Sequence, residues 1–313
     1  MHFFNKEVNI YEKINDPYGE YQWGMRYSNF DYYFDKIGKE RLHNVKVAVI
    51  DSGIDMKHED FDETIQSGWN FVDSSADVSD KLGHGTAVTG VIAAKDNNGI
   101  GIAGMVHGVR ILPLKVINSS NESNLAPLIQ AIYYAIQNEA DVINISMGYV
   151  NAELRGIDFQ YVKLINNLQK AIYYAASQGI VIVAAVGNCP FNLIDYPAAC
   201  DNVIAVGSYG IHGKEGNVYI SKRNSYSIKD VIYAPGEYII STLPENQYGY
   251  RSGSSLATPF VTSAVAAAKA LNKKIDFQIV DNLLIKSANC YEKDGMQYKL
   301  LNIDRFIEKV GVS

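Results

Sequence analysis

Short β-branched runs, apolar on both faces, recur from Val45 onward and alternate with stretches of helical periodicity. The runs are VKVAVID (45–51), RILPLKV (110–116), DVINIS (141–146), IVIVAAVG (180–187), VIAVGS (203–208) and VIYA (231–234). A strand without a polar face must be covered on both sides, and such strands separated by helices build parallel sheets from βαβ units. Leu125, Leu128, Ile129, Ile132 and Ile136 form one helical stripe, and Leu164, Leu168 and Ile172 mark a second. Residues 257–271 are small and apolar nearly all round, which predicts a buried helix, and a last helical stretch is expected near 276–288. The pattern predicts an α/β fold, one domain with a mainly parallel sheet covered by helices on both faces. Residues 1–42 are polar, Tyr-rich and weakly periodic, and are expected to form an arm packed on a domain spanning 43–313.

Composition excludes several classes. With 47% hydrophobic and 20% charged residues the chain is neither disordered nor fibrous. A net charge of −6 disfavours nucleic-acid partners and favours approach of basic peptides. The longest apolar run, 179–187, falls far short of the roughly 20 residues a membrane helix needs, so no membrane partner is expected. The opening MHFFNKEVNIYEK has no apolar signal core or small-residue cleavage site. As it stands the chain reads as cytoplasmic; if trimmed from a longer one, it reads as secreted. Cys189, Cys200 and Cys290 are too few for a disulfide scaffold and read as free thiols, and no His/Cys cluster suggests zinc.

Three polar signals stand at strand ends and helix starts, where open α/β sheets bind ligands. Asp51 ends the first strand in AVIDSGID, His84 opens a helical run in GHGTAVTG, and Ser255 precedes the buried helix in SGSSLATP. Each has a plain structural alternative: an Asp after a strand is commonly a turn residue, a His among glycines a packing residue, a Ser before a helix a cap. Together they are the three groups that nucleophilic catalysis requires. A serine hydroxyl needs a base, histidine titrates near neutral pH, and a carboxylate orients the imidazole and stabilises its charged form. No G-x-S-x-G elbow surrounds Ser255, and the α/β-hydrolase order of Ser, Asp, His is not followed.

Over roughly residues 13–272 the sequence resembles the subtilisin-like serine proteases, whose known order is Asp, His, Ser. The aspartate motif reads V-A-V-I-D-S-G-I-D and the histidine motif G-H-G-T-A-V-T-G. The family's G-T-S-M-A-x-P appears as Gly253-Ser254-Ser255-Leu256-Ala257-Thr258-Pro259. Ser254 stands for the usual Thr and Leu256 for the usual Met, so either serine is a candidate, and register with Ala257 and Pro259 selects Ser255. The resemblance implies that Asn188, in Ala184-Ala185-Val186-Gly187-Asn188, completes an oxyanion hole with the Ser255 N–H. It implies that Ser146, Met147 and Gly148, following Asn144-Ile145, pair with the substrate backbone as an added strand.

The resemblance further implies that Asp195, just before Tyr196-Pro197, lies at the base of the S1 pocket. A carboxylate there pairs with Arg or Lys, so cleavage after a basic residue is expected; the alternative is a solvated loop aspartate. Asp16, Asp60 and Asn97 fall where many relatives bind structural calcium, though Asp60 and Asn97 also suit turns. Asn15-Asp16-Pro17-Tyr18 resembles the start of the mature family domain, so a very short prosegment or none is expected. The implied partner is a peptide or protein substrate. An acidic pocket on a compact chain without an export signal resembles the lantibiotic leader peptidases, which remove the leader from a modified precursor peptide. The alternatives are a general intracellular protease and an inactive fold serving as a binding module.

Overall fold

The computed structural model describes residues 14–28, 37–150, 159–191, 193–213, 216–225, 227 and 229–311. The first half holds α1 (Trp23–Tyr27), α2 (Lys39–His43), β1 (Lys46–Asp51), β2 (Trp69–Asn70), α3 (His84–Ala93), β3 (Arg110–Lys115), α4 (Leu125–Gln137) and β4 (Val142–Ile145). Next come α5 (Phe159–Ser177), β5 (Val181–Ala185), β6 (Val203–His212), β7 (Asn217–Ile220), β8 (Ile232–Pro235), β9 (Ile239–Leu243) and β10 (Gln247–Arg251). The chain ends in α6 (Ser254–Leu271), α7 (Phe277–Ser287), β11 (Asn289–Lys293), β12 (Met296–Leu300) and α8 (Ile303–Val310).

The main sheet runs β11-β12-β8-β6-β5-β4-β1-β3-β2, with β7 added to β6, and β9 and β10 form a separate hairpin. All neighbours from β2 through β12 are parallel, and β11 and β7 are antiparallel additions. Alternation along β1 explains the double cover. Val47 and Val49 pack with Val88 and Ile92 of α3, Val261 and Val265 of α6 and Phe306 of α8. Ala48 and Ile50 point the other way, to Leu128 and Ile132 of α4 and Leu168 and Ile172 of α5. The expected mainly parallel sheet with helices on both faces is the architecture found.

Strand order reverses at β1, since β3 lies on one side and β4 on the other. That switch point opens a crevice at the carboxyl ends of the strands. Helix α6 is buried along its whole face from Ser254 to Lys269. Its small residues let it pass under the sheet, where it packs on α3, β4, β5, β6 and β8. The buried Lys269 ammonium donates to the Gly179 and Ile275 carbonyls, each at 2.6 Å, which offsets its desolvation.

Of the expected arm, residues 1–13 and 29–36 lie outside the described residues. Residues 14–28 dock on the sheet domain. The Gln22 amide exchanges two hydrogen bonds with the Ala103 backbone, at 2.7 and 2.9 Å, and Trp23 Nε1 donates to the Glu237 carbonyl. No described helix is long and apolar enough to cross a membrane.

Candidate active site

β1 delivers Asp51 to the crevice, and α3 begins with His84. His84 Nδ1 lies 2.7 Å from Asp51 Oδ1, which also accepts the Ser52 N–H at 2.7 Å. Asp51 is buried and its Oδ2 has no hydrogen-bond partner among the described residues, whereas the His84 side chain is 30% exposed. The imidazole is therefore anchored on one nitrogen and open on the other. Burial alone would disfavour its charged form. The Asp51 carboxylate outweighs that by charge and hydrogen bond, Asp80 adds to it, and proton affinity rises above the ordinary histidine value.

Asp80 is a polar anchor that the sequence reading did not single out. It accepts from Ser52 Oγ, Leu82 N, Gly83 N, Thr86 N and Thr86 Oγ1, all at 2.7–3.0 Å. Burial would raise its proton affinity, but these bonds hold the carboxyl below its usual range. Ser52 Oγ in turn accepts from Gly85 N at 2.9 Å. The first turn of α3 is thereby tied to the residue following Asp51, and His84 is held against it. The only hint of this in the sequence is an aspartate four residues ahead of the histidine.

The two serines of the third motif have different surroundings. Ser254 is fully buried, and its hydroxyl lies 3.1 Å from both the Gly187 carbonyl and Asn188 Oδ1. Ser255 is 8% exposed, and among the described residues its hydroxyl makes no hydrogen bond. Both open α6, so Ser255 sits at the positive end of an 18-residue helix dipole. Asn188 Oδ1 also accepts the Ser254 N–H at 2.9 Å. Fixing the amide by its oxygen leaves Nδ2, beside Gly253, without an acceptor among the described residues. Gly253 has φ 144°, and a Cβ there would lie 3.0 Å from that nitrogen. The amide sits beside the serine motif because residue 253 has no side chain.

The half-buried Asp195 side chain packs against two glycines. A Cβ on Gly148 would stand 2.7 Å from its Oδ2, and one on Gly187 2.3 Å from the same oxygen. Among the described residues no donor or cation pairs with this carboxylate, and burial alone pushes it up to about 6. The β4–β5 ladder ends at the Ile145–Ala184 pair, and Ser146, Met147 and Gly148 run on without a partner strand among the described residues. Tyr149 then bonds reciprocally with Tyr196, at 2.8 Å each way, which fixes this edge over the Asp195 loop. Below it, Thr262 of α6 donates to Asn144 Oδ1, and Asn144 Nδ2 to Ser146 Oγ. A cavity of about 510 Å³ lined by Ile117, Leu125, Met147, Tyr149 and Leu164 adjoins the edge.

The three expected calcium residues lie near one another. Asp16 accepts the backbone N–H groups of Asn97, Asn98 and Gly99, and Asp60 accepts from Asn98 Nδ2 and Ile102 N. Asn97 Oδ1 accepts from Asn15 N, so the side chain facing Asp60 is that of Asn98. Burial raises both carboxyls, with the charge of Asp96 adding to the rise at Asp16 and that of Asp16 adding to the rise at Asp60, which is pushed up to about 6. Two buried carboxylates without a countercharge among the described residues are the hard-oxygen chemistry that suits calcium. Among the described residues no cluster of three or more His, Cys, Asp or Glu is gathered as a metal site. The three cysteines are unpaired.

The sequence profile of the subtilase family matches residues 43–304. The chain is 35% identical over 253 residues to the thermophilic serine proteinase of Bacillus sp. (strain AK1), covering 80% of this chain and 58% of that protein. It is 35% identical over 277 residues to the major intracellular serine protease of Bacillus subtilis (strain 168), covering 85% and 75%. Among solved structures it resembles the nisin leader peptidase NisP from Lactococcus lactis, with a TM-score of 0.76, 25% identity and coverage of 93% and 94%.

Proposed function

The chain belongs to the subtilase family, and from that premise we propose that it is a serine endopeptidase that cuts after Arg or Lys. The observation that carries the basic preference is the Asp195 carboxylate between Gly148 and Gly187, which has no partner among the described residues. A buried carboxylate is unfavourable until a cation meets it. A guanidinium supplied by the substrate gives that charge with bidentate geometry.

Each group then has a task. The substrate lies along Ser146–Gly148 as an added strand, and the neighbouring cavity receives an apolar side chain upstream of the cut. Ser255 Oγ attacks the carbonyl carbon as His84 Nε2 takes its proton. The developing oxyanion accepts from Asn188 Nδ2 and the Ser255 N–H. Asp51 and the resulting imidazolium attract one another. His84 gives the proton to the leaving nitrogen, the C–N bond breaks, and an acyl-serine remains. Water, deprotonated by the same imidazole, attacks the ester and restores the serine. The absence of a Ser255–His84 hydrogen bond is compatible with this scheme, because such bonds tighten when substrate binds. Asp16, Asp60 and an asparagine of the 97–98 pair are suited to hold calcium, which would steady the loop they share and take no part in the chemistry.

The favoured substrate is a precursor peptide cut at one basic site, a reading supported by the fold shared with a leader peptidase. A general protease is the second reading, favoured by the 35% identity to a major intracellular serine protease. One experiment separates them. A peptide library and a denatured protein are digested by the wild type and Ser255→Ala, with the cuts mapped by mass spectrometry. Serine-dependent cuts after Arg or Lys in a narrow peptide set support a leader peptidase, and efficient digestion of the denatured protein supports the broad enzyme. Cuts after apolar residues discard the role of Asp195.

A further inference from the structure

Arg251 is the last residue of β10, four residues before Ser255, so the two Cα atoms lie within about 14 Å. Its hairpin packs on the start of α3: a Cβ on Gly83, next to His84, would lie 2.8 Å from the Pro244 ring. The Arg251 side chain is exposed, and its hydrogen bond runs back to the neighbouring Tyr250 carbonyl at 3.2 Å. Among the described residues no carboxylate pairs with it. Its charge reaches His84, where it opposes formation of the imidazolium.

The position on the cleft follows from the reaction. In the proposed reaction, Asp195 and the free edge at 146–148 bind the segment before the cut, on the acyl side of Ser255. His84 must protonate the leaving nitrogen, so the segment after the cut leaves along the histidine side. The β9–β10 hairpin borders that side, and Arg251 is an unpaired cation on it.

Resting on the endopeptidase reading, we propose that Arg251 determines specificity by selecting an acidic side chain in the first two positions after the scissile bond. An arginine fork held at the end of a strand matches a carboxylate. The pair is exposed, so its effect is several-fold rather than absolute, and salt screens it.

The test uses three peptides identical up to an Arg at the cut and carrying Glu, Gln or Lys at the next two positions. They compete for the wild-type enzyme and for Arg251→Gln, Arg251→Glu and Arg251→Lys, at low and high salt. Wild type is expected to prefer the Glu peptide over the Lys peptide roughly fivefold in kcat/KM at low salt. The preference flattens in Arg251→Gln, reverses in Arg251→Glu, returns in Arg251→Lys and shrinks at high salt. Each ratio is taken within one preparation, so a partly folded variant does not distort it. An identical Glu-to-Lys ratio in wild type and Arg251→Glu overturns the proposal. Cleavage at a bond other than the Arg bond overturns the role of Asp195, and the ratio that decides Arg251 is then read on peptides carrying Glu, Gln or Lys at the two positions after the bond actually cut. The absence of any Ser255-dependent cleavage overturns the endopeptidase reading and this inference with it.

Discussion

The side-chain oxygen of Asn188 accepts two hydrogen bonds from Ser254, one from its N–H at 2.9 Å and one from its hydroxyl at 3.1 Å. This pairing separates two serines that the sequence leaves adjacent and chemically equal. The hydroxyl of Ser254 is committed to holding an amide, and that of Ser255 is free to react.

Ser255→Ala should therefore fold with wild-type thermal stability and lose about 10⁶-fold in kcat, the loss known for subtilisin itself. Ser254→Ala should keep a nucleophile but loosen Asn188, with a stability loss of about 1–2 kcal/mol for the buried hydroxyl. A fluorophosphonate probe should label Ser254→Ala and leave Ser255→Ala unlabelled. The opposite labelling pattern would exchange the two assignments.

Asn188→Leu keeps the side-chain shape and removes the donor. It should lower kcat by about 10²–10³ with little change in KM, because an oxyanion donor acts only in the transition state; that figure also comes from subtilisin. The Ser254 N–H loses its acceptor at the same time, while the hydroxyl keeps the Gly187 carbonyl, so the melting temperature should fall slightly. An unchanged kcat would remove Asn188 from the oxyanion site.

The six apolar runs of the sequence correspond to β1, β3, β4, β5, β6 and β8, because strands covered on both faces leave a continuous apolar record. The helix stripes at 125–136 and 164–172 fall in α4 and α5 for the same reason. The hairpins left less trace. In β11–β12 the Asp294-Gly295 turn, with φ values of 52° and 74°, is the local hairpin signal. Helix α8 carries Ile303, Phe306, Ile307 and Val310 at helical spacing, but its single turn pair is too short to stand out. At the site, the residue types were legible and the anchors were not. Asp80 and Asn144 work through contacts with residues remote in sequence, such as Ser52 and Thr262, which no local pattern records. The exchange of Asn97 for Asn98 beside Asp60 is a one-residue loop register, fixed by the Ile100 N–H bonding to Asn98 Oδ1.

Calcium should raise the melting temperature if Asp16 and Asp60 receive it, since binding to the folded state alone stabilises by mass action. The rise should grow with calcium concentration, reverse with chelator and vanish in Asp60→Asn. Identical melting curves with calcium and with chelator would remove the ion from this loop.

The raised proton affinity of His84 sets the acid limb of activity. The base must be neutral to accept the serine proton, so kcat/KM should fall as pH drops through a midpoint above the ordinary histidine value of 6.5. Asp51 is the main source of the rise, so Asp51→Asn should move the limb to lower pH and cut the rate by about 10⁴-fold. A limb that stays in place in Asp51→Asn would assign the titration to another group.

Asp195 sets a second pH dependence, of opposite consequence for stability and selectivity. Its folded value of about 6 lies above the ordinary carboxyl value of 3.8. Between those values the folded state holds more protons than the unfolded one, so this residue's contribution to stability falls as pH rises from about 4 to 6. The ionised form that weakens the fold is also the one that attracts a basic side chain. Selectivity for Arg over Leu before the cut should grow with pH through about 6 in wild type and be flat in Asp195→Asn. The same variant should melt higher than wild type at neutral pH, because it no longer carries a half-buried, unpaired charge. Equal melting temperatures with equal Arg selectivity would mean that the carboxylate is solvated and takes no part in choosing the substrate.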